Sequence, residues 1–420
     1  MCIIMRSVSL IKTSVTAAVM VSGFMSVVAA DWTQWRGPNR DGISSETGLL
    51  KSWPEGGPKL AWKSAGLGLG YSTVSTSGKQ LFTAGDRGES SFIIALNAED
   101  GKELWATKVG KSGAPGWGGF AGPRATPTVE GGMVFSVDQW GTLVCLSAVD
   151  GKEKWRKEFT KDFGSSRPEW GFSESPLVDG KNLILTPGGS GGAIVALDKT
   201  TGAEVWRTKD FTDSAHYSSL IKTEIGGVAQ YVQLTAENVV GVGVDGKLLW
   251  KAVRKGKTAV IPTPVCKGNL VYVSSGYGTG CNLFKISNAN GQFTAEQVYE
   301  NKVLQNHHGG VVIVGDSVYG YGDGKGWTCQ NLQTGEARWQ DKSVGKGAIL
   351  CVDGNFIIRQ EDKAGTIALI AASPDGYKEL GKFNPPDASG KNYWPHPVVS
   401  NGKLYIRDQD ILLCYDLKGS

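Results

Sequence analysis

The side chains that could do chemistry in this chain are few. Histidine is the residue best suited to acid–base work or metal binding near neutral pH, and there are four of them in 420 residues. Two are adjacent in Asn306-His307-His308-Gly309-Gly310; the others are His216 and His396. Consecutive side chains of a strand point to opposite faces. We therefore predict that His307 points into the packing between structural units, that His308 is the functional member of the pair, and that no metal site is present.

Other catalytic patterns are weak. No Cys-x-x-Cys pair occurs, so neither a structural zinc site nor haem attachment is indicated. The run 188–192 (GGSGG) lacks the Lys-Ser/Thr ending of a phosphate-binding loop, and the run 276–280 (GYGTG) is a lone glycine pattern. No nucleophile elbow and no pair of carboxylates stands out. The sequence therefore contains no recognisable catalytic set.

The composition indicates the kind of scaffold that must position these residues. The 59 glycines and 14 tryptophans, against 20% charged residues, are typical of an all-β protein with many tight turns. The 44 basic and 40 acidic residues nearly balance, so no binding to nucleic acid is expected.

The first thirty residues have the pattern of a secretory signal peptide. Basic residues precede an apolar run over 15–28, and a Val-Ala-Ala end follows. The run is short against the ~20 residues that span a bilayer. We predict a signal peptide over 1–30, a periplasmic or secreted protein, no transmembrane segment after cleavage, and no lipid anchor, since no cysteine follows the cleavage site.

An internal repeat organises the rest of the chain. Residues 95–105, 146–155 and 196–206 share a pattern that ends in Gly-x-x-x-Trp or a close variant, and 244–250 and 332–339 repeat its ending. Two further copies, around Tyr299 and Leu380, are degenerate. Openings such as Thr126-Pro127 precede the copies, and alternating strands such as 133–137 follow the openings. One unit is thus four short strands in about 40 to 50 residues, the size of a propeller blade.

The number of repeats predicts the architecture. Seven outer strands can be counted, and an eighth unit starts near Pro397 and stops at Leu417 without its outer strand. Residues 59–62 look like that missing strand, and pairing the two termini would leave no open edge. We predict an N-terminal lead over 31–57 and one all-β domain over 58–420, an eight-bladed propeller of four-stranded antiparallel blades, with seven blades as the alternative. One tryptophan per blade is expected to dock against the next: Trp62, Trp105, Trp155, Trp206, Trp250 and Trp339.

The repeat of 196–206, Ala-x-Asp-x-x-Thr-Gly-x-x-x-Trp, resembles the docking repeat of the PQQ-binding-like, or quinoprotein dehydrogenase-like, propellers. This family includes PQQ-dependent alcohol dehydrogenases and the BamB-like propellers of outer-membrane protein assembly. The lead at 35–42 and the stretch 306–310 are similar to a secreted bacterial branch. The resemblance implies that PQQ with calcium is a possible cofactor. Two features depart from the family: no two cysteines are adjacent, as in the dehydrogenases, and the lipid-bearing cysteine of BamB-like proteins is missing.

Blade openings predict where a ligand would bind, because the loops at one end of a propeller form a funnel. Alignment on Thr126-Pro127 brings Tyr71, Arg124, Ser173, His216, Ile261, His308, Gly347 and Trp394 to equivalent positions. The candidate ligand-binding residues are Arg124, Glu174, His216, Tyr217, His308, Trp117, Trp170, Trp327, Trp394 and His396. The alternative is that the histidines only hold neighbouring loops together.

The sequence therefore favours a monomeric propeller that binds a small molecule or an envelope protein and carries no chemistry of its own. The alternative is a PQQ-dependent oxidoreductase of the alcohol dehydrogenase type, with its cofactor in the funnel near Arg124 and His308. A third possibility is an envelope enzyme that acts on a glycan or another polymer.

Overall fold

A computed structural model describes Met1, residues 31–362 and residues 364–419. The predicted signal peptide lies outside the described residues. Within them, no helix is both long enough and apolar enough to cross a membrane. The single α-helix among them is the short segment Phe159–Asp162.

The described chain forms a ring of eight four-stranded antiparallel sheets, so the eight-bladed prediction is confirmed and the seven-bladed alternative is wrong. Blade one consists of Ser75–Ser77, Gln80–Arg87, Ser90–Asn97 and Glu103–Lys111, and blade two of Thr128–Glu130, Met133–Val137, Thr142–Ser147 and Glu153–Glu158. Blade three consists of Leu177–Asp179, Asn182–Leu185, Val195–Asp198 and Glu204–Arg207, and blade four of Ile221–Ile225, Val228–Leu234, Asn238–Gly243 and Leu248–Val253.

Blades five to eight complete the ring, and the last of them joins the two ends of the propeller. Lys59–Ser64 pairs antiparallel with Ile411–Asp416 and so supplies the fourth strand of blade eight. Blade five consists of Val265–Lys267, Leu270–Ser275, Gly280–Ala289 and Gln292–Asn301, and blade six of Val311–Val314, Ser317–Gly322, Gly326–Asn331 and Ala337–Asp341. Blade seven consists of Gly347–Val352, Asn355–Gln360, Ile367–Ala371 and Glu379–Phe383, and blade eight of Val398–Ser400, Lys403–Asp408, Ile411–Asp416 and Lys59–Ser64.

Tryptophan docking explains why the repeat ends as it does. In five blades the indole N–H of the outer strand donates to a backbone carbonyl of the next blade, over 2.9 to 3.2 Å. The indole rings lie over turn glycines of the next blade, at Gly101, Gly151, Gly202 and Gly246. A side chain on these glycines would collide with the ring. The residues that dock in this way are Trp62, Trp105, Trp155, Trp206 and Trp339.

Blades four and five depart from this pattern. Trp250 packs in one buried cluster with Val271, Phe284 and Ile286 of blade five, but its indole N–H donates to Oε1 of Gln230 in its own blade at 2.6 Å and not to a carbonyl of the next blade. In blade five, Tyr299 takes the docking position and its hydroxyl donates to the carbonyl of Leu332 at 3.0 Å. A phenol therefore replaces the indole, since both combine a flat apolar ring with one polar donor.

The N-terminal lead runs through the centre of the ring and contacts every blade. Ile43–Ser44 adds a parallel strand to blade seven, and the side chain of Trp35 packs on His396, just before blade eight. Hydrogen bonds reach the other six blades, through Thr76, Val129, Ser175, Leu220, Thr263 and Val311. The lead therefore fills the channel and binds the blades to one another.

Two buried arginines of the lead make many of these contacts. Arg40 donates to the carbonyls of Leu220 at 2.9 Å and Ser175 at 2.6 Å, and Arg36 donates to the carbonyl of Val311 at 2.5 Å. Both residues have positive φ, 59° at Arg36 and 57° at Arg40, so the lead is tightly turned at these points. Burial lowers the pKa of each guanidinium to about 10, which leaves both charged at neutral pH.

We predict that Gly246→Ala destabilises the fold more than Gly227→Ala. Both glycines lie in turns of blade four with positive φ, 87° and 77°. A Cβ at Gly246 would lie 2.7 Å from the ring of Trp206, whereas a Cβ at Gly227 would meet nothing within 4 Å. Overpacking of this kind costs roughly 1 to 3 kcal/mol. Urea unfolding of both variants should show that difference; equal losses would contradict the docking role of Trp206.

Candidate functional site

A cavity of about 300 Å³ lies at one end of the ring, where the residues before the first strands of most blades converge. We call it the funnel cavity. Its walls come from blade openings and loops, and its lining includes Trp35 of the lead. Seven of the ten predicted ligand-binding residues line it: Trp117, Arg124, Trp170, Tyr217, His308, Trp394 and His396.

Aromatic rings dominate the lining. The ring of Trp394 lies 4.6 Å from Tyr71 and 5.0 Å from Phe120, centroid to centroid. The ring of Trp170 lies 5.9 Å from Tyr217, and its indole N–H donates to the carbonyl of Trp117 at 3.0 Å. The side chain of Trp117 is 78% exposed and lies at the rim. These rings offer flat apolar faces to anything that enters.

The lead and blade eight contribute adjacent rings. The rings of Trp35 and His396 are 4.6 Å apart, and the indole N–H of Trp35 is fixed by Thr263 Oγ1 at 2.9 Å. Nε2 of His396 lies 2.9 Å from the carbonyl of His308. Burial, followed by the charge of Arg36, lowers the pKa of His396 to about 3. His396 is therefore neutral near pH 7 and its Nε2 donates to that carbonyl.

Among the residues that the structure describes, Arg124 is the only arginine or lysine in the lining. Its guanidinium donates to the carbonyls of Gly122 at 2.7 Å and Phe120 at 2.6 Å, and it stacks 5.6 Å above the ring of Tyr71. Burial lowers its pKa to about 10, so it stays charged at neutral pH. No described side chain in the lining carries a carboxylate. The funnel cavity therefore favours uncharged or anionic groups over cations.

The adjacent histidines do not point to opposite faces, so that expectation is wrong. Asn306 Oδ1 accepts the N–H of Gly310 at 2.9 Å, and this bond closes a bend ahead of the strand that starts at Val311. The two imidazoles consequently lie side by side, with ring centroids 4.5 Å apart, and both line the funnel cavity. The alternation rule fails because the stretch is not extended.

The histidine pair belongs to a charged cluster. Nε2 of His308 lies 2.6 Å from Oε2 of Glu361, although not in line for a hydrogen bond. Nζ of Lys346 lies 2.9 Å from Nδ1 of His307, 3.0 Å from Oδ1 of Asp323 and 3.7 Å from Oε1 of Glu361. Burial opposes ionisation of Glu361, but His308 and Lys346 outweigh it and lower the pKa of that carboxyl.

A divalent metal does not fit this cluster. His307, His308 and Glu361 do bring ligand atoms within 4.8 Å of one another. The ammonium of Lys346 nevertheless lies among them, and a divalent ion ~4 Å from it would be repelled by about 8 kcal/mol at an effective dielectric constant of ~20. The ligand atoms of this cluster already contact a cation, the ammonium group of Lys346.

A quinone cofactor held through calcium is also a poor fit. Calcium takes oxygen ligands, chiefly carboxylates and carbonyls, and within the described part of the chain no carboxylate or amide side chain lines the funnel cavity. The six cysteines of the described chain are free, and none lines the cavity. The planar aromatic lining suits a flat molecule, but not one that depends on a calcium ion.

Comparison with known proteins gives the family. A family model described as outer membrane protein assembly factor BamB matches residues 89–341, more than half of the chain. The chain belongs to this BamB-like family of PQQ-repeat propellers.

The relatives cover only part of the chain. BamB from Burkholderia pseudomallei (strain K96243) is 28% identical over 240 residues, which are 54% of this chain and 56% of that protein. A polyvinylalcohol dehydrogenase from a Pseudomonas species is 24% identical over 290 residues, 54% of this chain and 44% of that protein. The chain thus spans about half the length of the curated relatives it matches.

A solved structure extends the likeness of the fold. The quinohemoprotein alcohol dehydrogenase from Comamonas testosteroni superposes with a TM-score of 0.64 at 12% identity, covering 93% of this chain and 81% of that one. At this identity the match shows a shared fold alone.

Three predicted residues of this BamB-like chain lie outside the lining of the funnel cavity. Glu174 is 5% exposed and accepts hydrogen bonds from Thr186 and Leu220. Its neighbours Ser173 and Ser175 face the cavity, so alternation along the chain turns Glu174 away. It lies near Arg40 of the lead, whose charge partly offsets its burial.

His216 and Trp327 are held by backbone groups. Nδ1 of His216 accepts the N–H of Val260 at 3.0 Å, and its neighbour Tyr217 is the residue that lines the cavity. Trp327 is 1% exposed, and its indole N–H donates to the carbonyl of Gly345 at 3.2 Å. It lies on the third strand of blade six and not on a loop, which explains why it faces the core.

Several lining residues were not among the predicted candidates, notably Trp35, Phe120, Tyr277 and His307. Phe120 follows Trp117 in the same glycine-rich loop, so the sequence of that loop could have predicted that Phe120 also lines the cavity. Tyr277 lies in the GYGTG run, which the sequence analysis interpreted only as a glycine pattern. Nothing in the sequence indicates that the lead brings Trp35 to the cavity.

Glu174 predicts a pH dependence of stability. Burial raises its pKa from 4.5 to about 7, so the folded chain holds a proton that the unfolded chain has lost between these pH values. The stability from this group is fully present below pH 4.5 and is lost as the pH rises through about 7.

We expect the free energy of unfolding of the parent chain, relative to Glu174→Gln, to fall by roughly 3 kcal/mol between pH 4.5 and pH 8. Urea unfolding across this range measures it, with the exposed-turn variant Asp245→Asn as control. A constant difference between the parent and Glu174→Gln would refute the prediction.

Proposed function

We propose that this protein is a cell-envelope propeller that binds a small molecule in the funnel cavity and does no chemistry on it. The observation that carries the proposal is the cavity of about 300 Å³, lined by aromatic rings and including Trp35 of the lead. Ligand sites are concave, mostly apolar and furnished with a few polar groups, and this volume lies at the lower end of their range.

The energetics favour a ligand with a flat apolar face. Sandwiching such a face between two rings buries on the order of 150 Å² of apolar surface, which is worth about 4 kcal/mol. Arg124 and the serine hydroxyls of Ser173, Ser175 and Ser219 add donors beside the rings. A ligand with oxygen acceptors at its edge would meet both kinds of group.

The histidines support binding more than catalysis. Burial lowers the pKa of His307 to about 2 and that of His396 to about 3, so neither takes up a proton near pH 7. A general base works best with a pKa near the operating pH. No cysteine, whose thiolate could act as a nucleophile, lines the funnel cavity.

The relatives support a location and the alternative functions. A BamB relative carries the name outer membrane protein assembly factor, which supports a periplasmic site of action and an envelope protein as a possible partner. The relative named polyvinylalcohol dehydrogenase supports a PQQ-dependent oxidoreductase as the other alternative. Calorimetry with PQQ and calcium tests the latter: micromolar binding together with alcohol-dependent dye reduction would overturn the binding-only proposal.

We predict that naphthalene-2-methanol, a flat and uncharged probe, quenches tryptophan fluorescence saturably, with a dissociation constant of roughly 10 µM to 1 mM for a ligand of its size. Trp117→Ala should weaken this binding about five- to tenfold by removing an aromatic contact. Because Trp117 is 78% exposed, the change should leave the fold intact.

The matched control is Leu104→Ala, which removes an exposed apolar side chain from the outer strand of blade one. Leu104 does not line the funnel cavity. It should bind the probe like the parent chain. Probe binding that neither variant alters, or no saturable binding, would contradict a ligand site in the funnel cavity.

A further inference from the structure

A chain of three polar side chains leads into the funnel cavity from blades five to seven. Nζ of Lys346 lies 2.9 Å from Nδ1 of His307, and Nε2 of the same imidazole lies 3.0 Å from the hydroxyl of Tyr277. Tyr277 and His307 both line the cavity. Lys346 lies behind them and is held by Asp323 at 3.0 Å.

The donors and acceptors of this chain fix the direction of each hydrogen bond. A lysine ammonium can only donate, so Nδ1 of His307 must accept. His307 is neutral, because burial, together with His308 and Lys346, lowers its pKa to about 2. Its single ring proton is therefore on Nε2 and is donated to the oxygen of Tyr277. The proton of Tyr277 remains available for a third group.

We propose that Tyr277 donates a hydrogen bond to an oxygen acceptor of the bound ligand, and that Lys346, acting through His307, is the positioning residue that directs this donor. The ligand class is a flat molecule that carries a carboxylate or another oxygen acceptor and no ammonium group. This inference rests on the proposed ligand-binding function and specifies what the site selects.

The backbone at Tyr277 supports a functional position. This residue has φ of 56°, a left-handed conformation that non-glycine residues seldom adopt. Its side chain is nevertheless 43% exposed, so burial of the phenol is not what holds it there. The contact with His307, with ring centroids 4.9 Å apart, fixes the phenol at the edge of the cavity.

The electrostatics of the lining point to the same ligand class. As far as the structure describes the chain, the lining contains the permanent positive charge of Arg124, several hydroxyl donors and no carboxylate. The acidic partners of the cluster, Asp323 and Glu361, already face Lys346. An ammonium group in the cavity would therefore find no anionic partner, whereas a carboxylate would find two kinds of donor.

The test compares two isosteric probes, 2-naphthoate and 2-naphthylmethylammonium, by tryptophan fluorescence at pH 7. The parent chain should bind the carboxylate at least about tenfold more tightly. Tyr277→Phe and Lys346→Met should each weaken binding of 2-naphthoate about tenfold or more, a loss typical of one hydrogen bond to a charged group. Binding of naphthalene-2-methanol should change less than that of the carboxylate.

Lys257→Met is the matched control for loss of a charge. Nζ of Lys257 lies near the same turn, within 3.7 Å of a Cβ built on Gly278, but it takes no part in the chain of hydrogen bonds. This variant should keep the preference for 2-naphthoate. If it loses as much as Lys346→Met, general electrostatics and not the directed chain explains the selectivity, and the inference fails.

A second readout does not depend on any ligand. Nitrogen-15 NMR of the four histidines should show His307 as the Nε2–H tautomer in the parent chain and a shifted tautomer population in Lys346→Met. An unchanged His307 signal overturns the role of Lys346. If 2-naphthoate binds in a Trp117-dependent way but ignores Tyr277→Phe, this inference fails while the proposed function stands; if no probe needs Trp117, the proposed function fails.

Discussion

The rest of the structure depends on one segment, the lead that fills the central channel. A ring of eight sheets has an axial hole, and each blade presents backbone groups to it. The lead satisfies several of those groups, chiefly through Arg36 and Arg40. Two charged side chains are tolerated in the centre because carbonyl oxygens surround them, which offsets part of their desolvation. The lead thus couples all blades and also places Trp35 in the lining of the cavity.

The fold was predictable because every blade must pack an aromatic ring of its outer strand against the next blade. A turn glycine must lie under the indole of the preceding blade. Most blades therefore have a glycine and a tryptophan at the same spacing in the sequence. Where another residue meets the need, as Tyr299 does in blade five, the repeat becomes degenerate without changing the architecture. Trp250 differs from the other docking tryptophans in that its indole N–H bonds within its own blade. The path of the lead could not be predicted, because many of its contacts are with backbone groups that leave no pattern in the sequence.

The site was predictable only in part, for reasons that differ from residue to residue. The register of the blade openings correctly brought Tyr71, Arg124, His308 and Trp394 to one place. It cannot say which of two neighbours faces inward, so Glu174 was named although Ser173 and Ser175 line the cavity, and His216 was named together with Tyr217 although only Tyr217 lines it. The bend closed by Asn306 and the turn at Tyr277 lie outside the repeat, and tertiary contacts alone set their conformation.

The same scaffold appears in proteins named for outer-membrane assembly and for alcohol oxidation, so function must be argued from the site and not from the fold. Here the site combines two neutral histidines, His307 and His396, with an aromatic lining, one arginine and a lysine in the place where a metal would have to bind. These features favour recognition of an acceptor-bearing ligand over redox chemistry with a calcium-bound cofactor.

The most direct test is native mass spectrometry of the protein purified from its own host, with mild and with denaturing ionisation. The account predicts an excess mass of a few hundred daltons that is lost on denaturation and is absent from Trp117→Ala prepared in the same way. A chain that carries no bound molecule, or one whose bound mass is identified as PQQ with calcium, would contradict it.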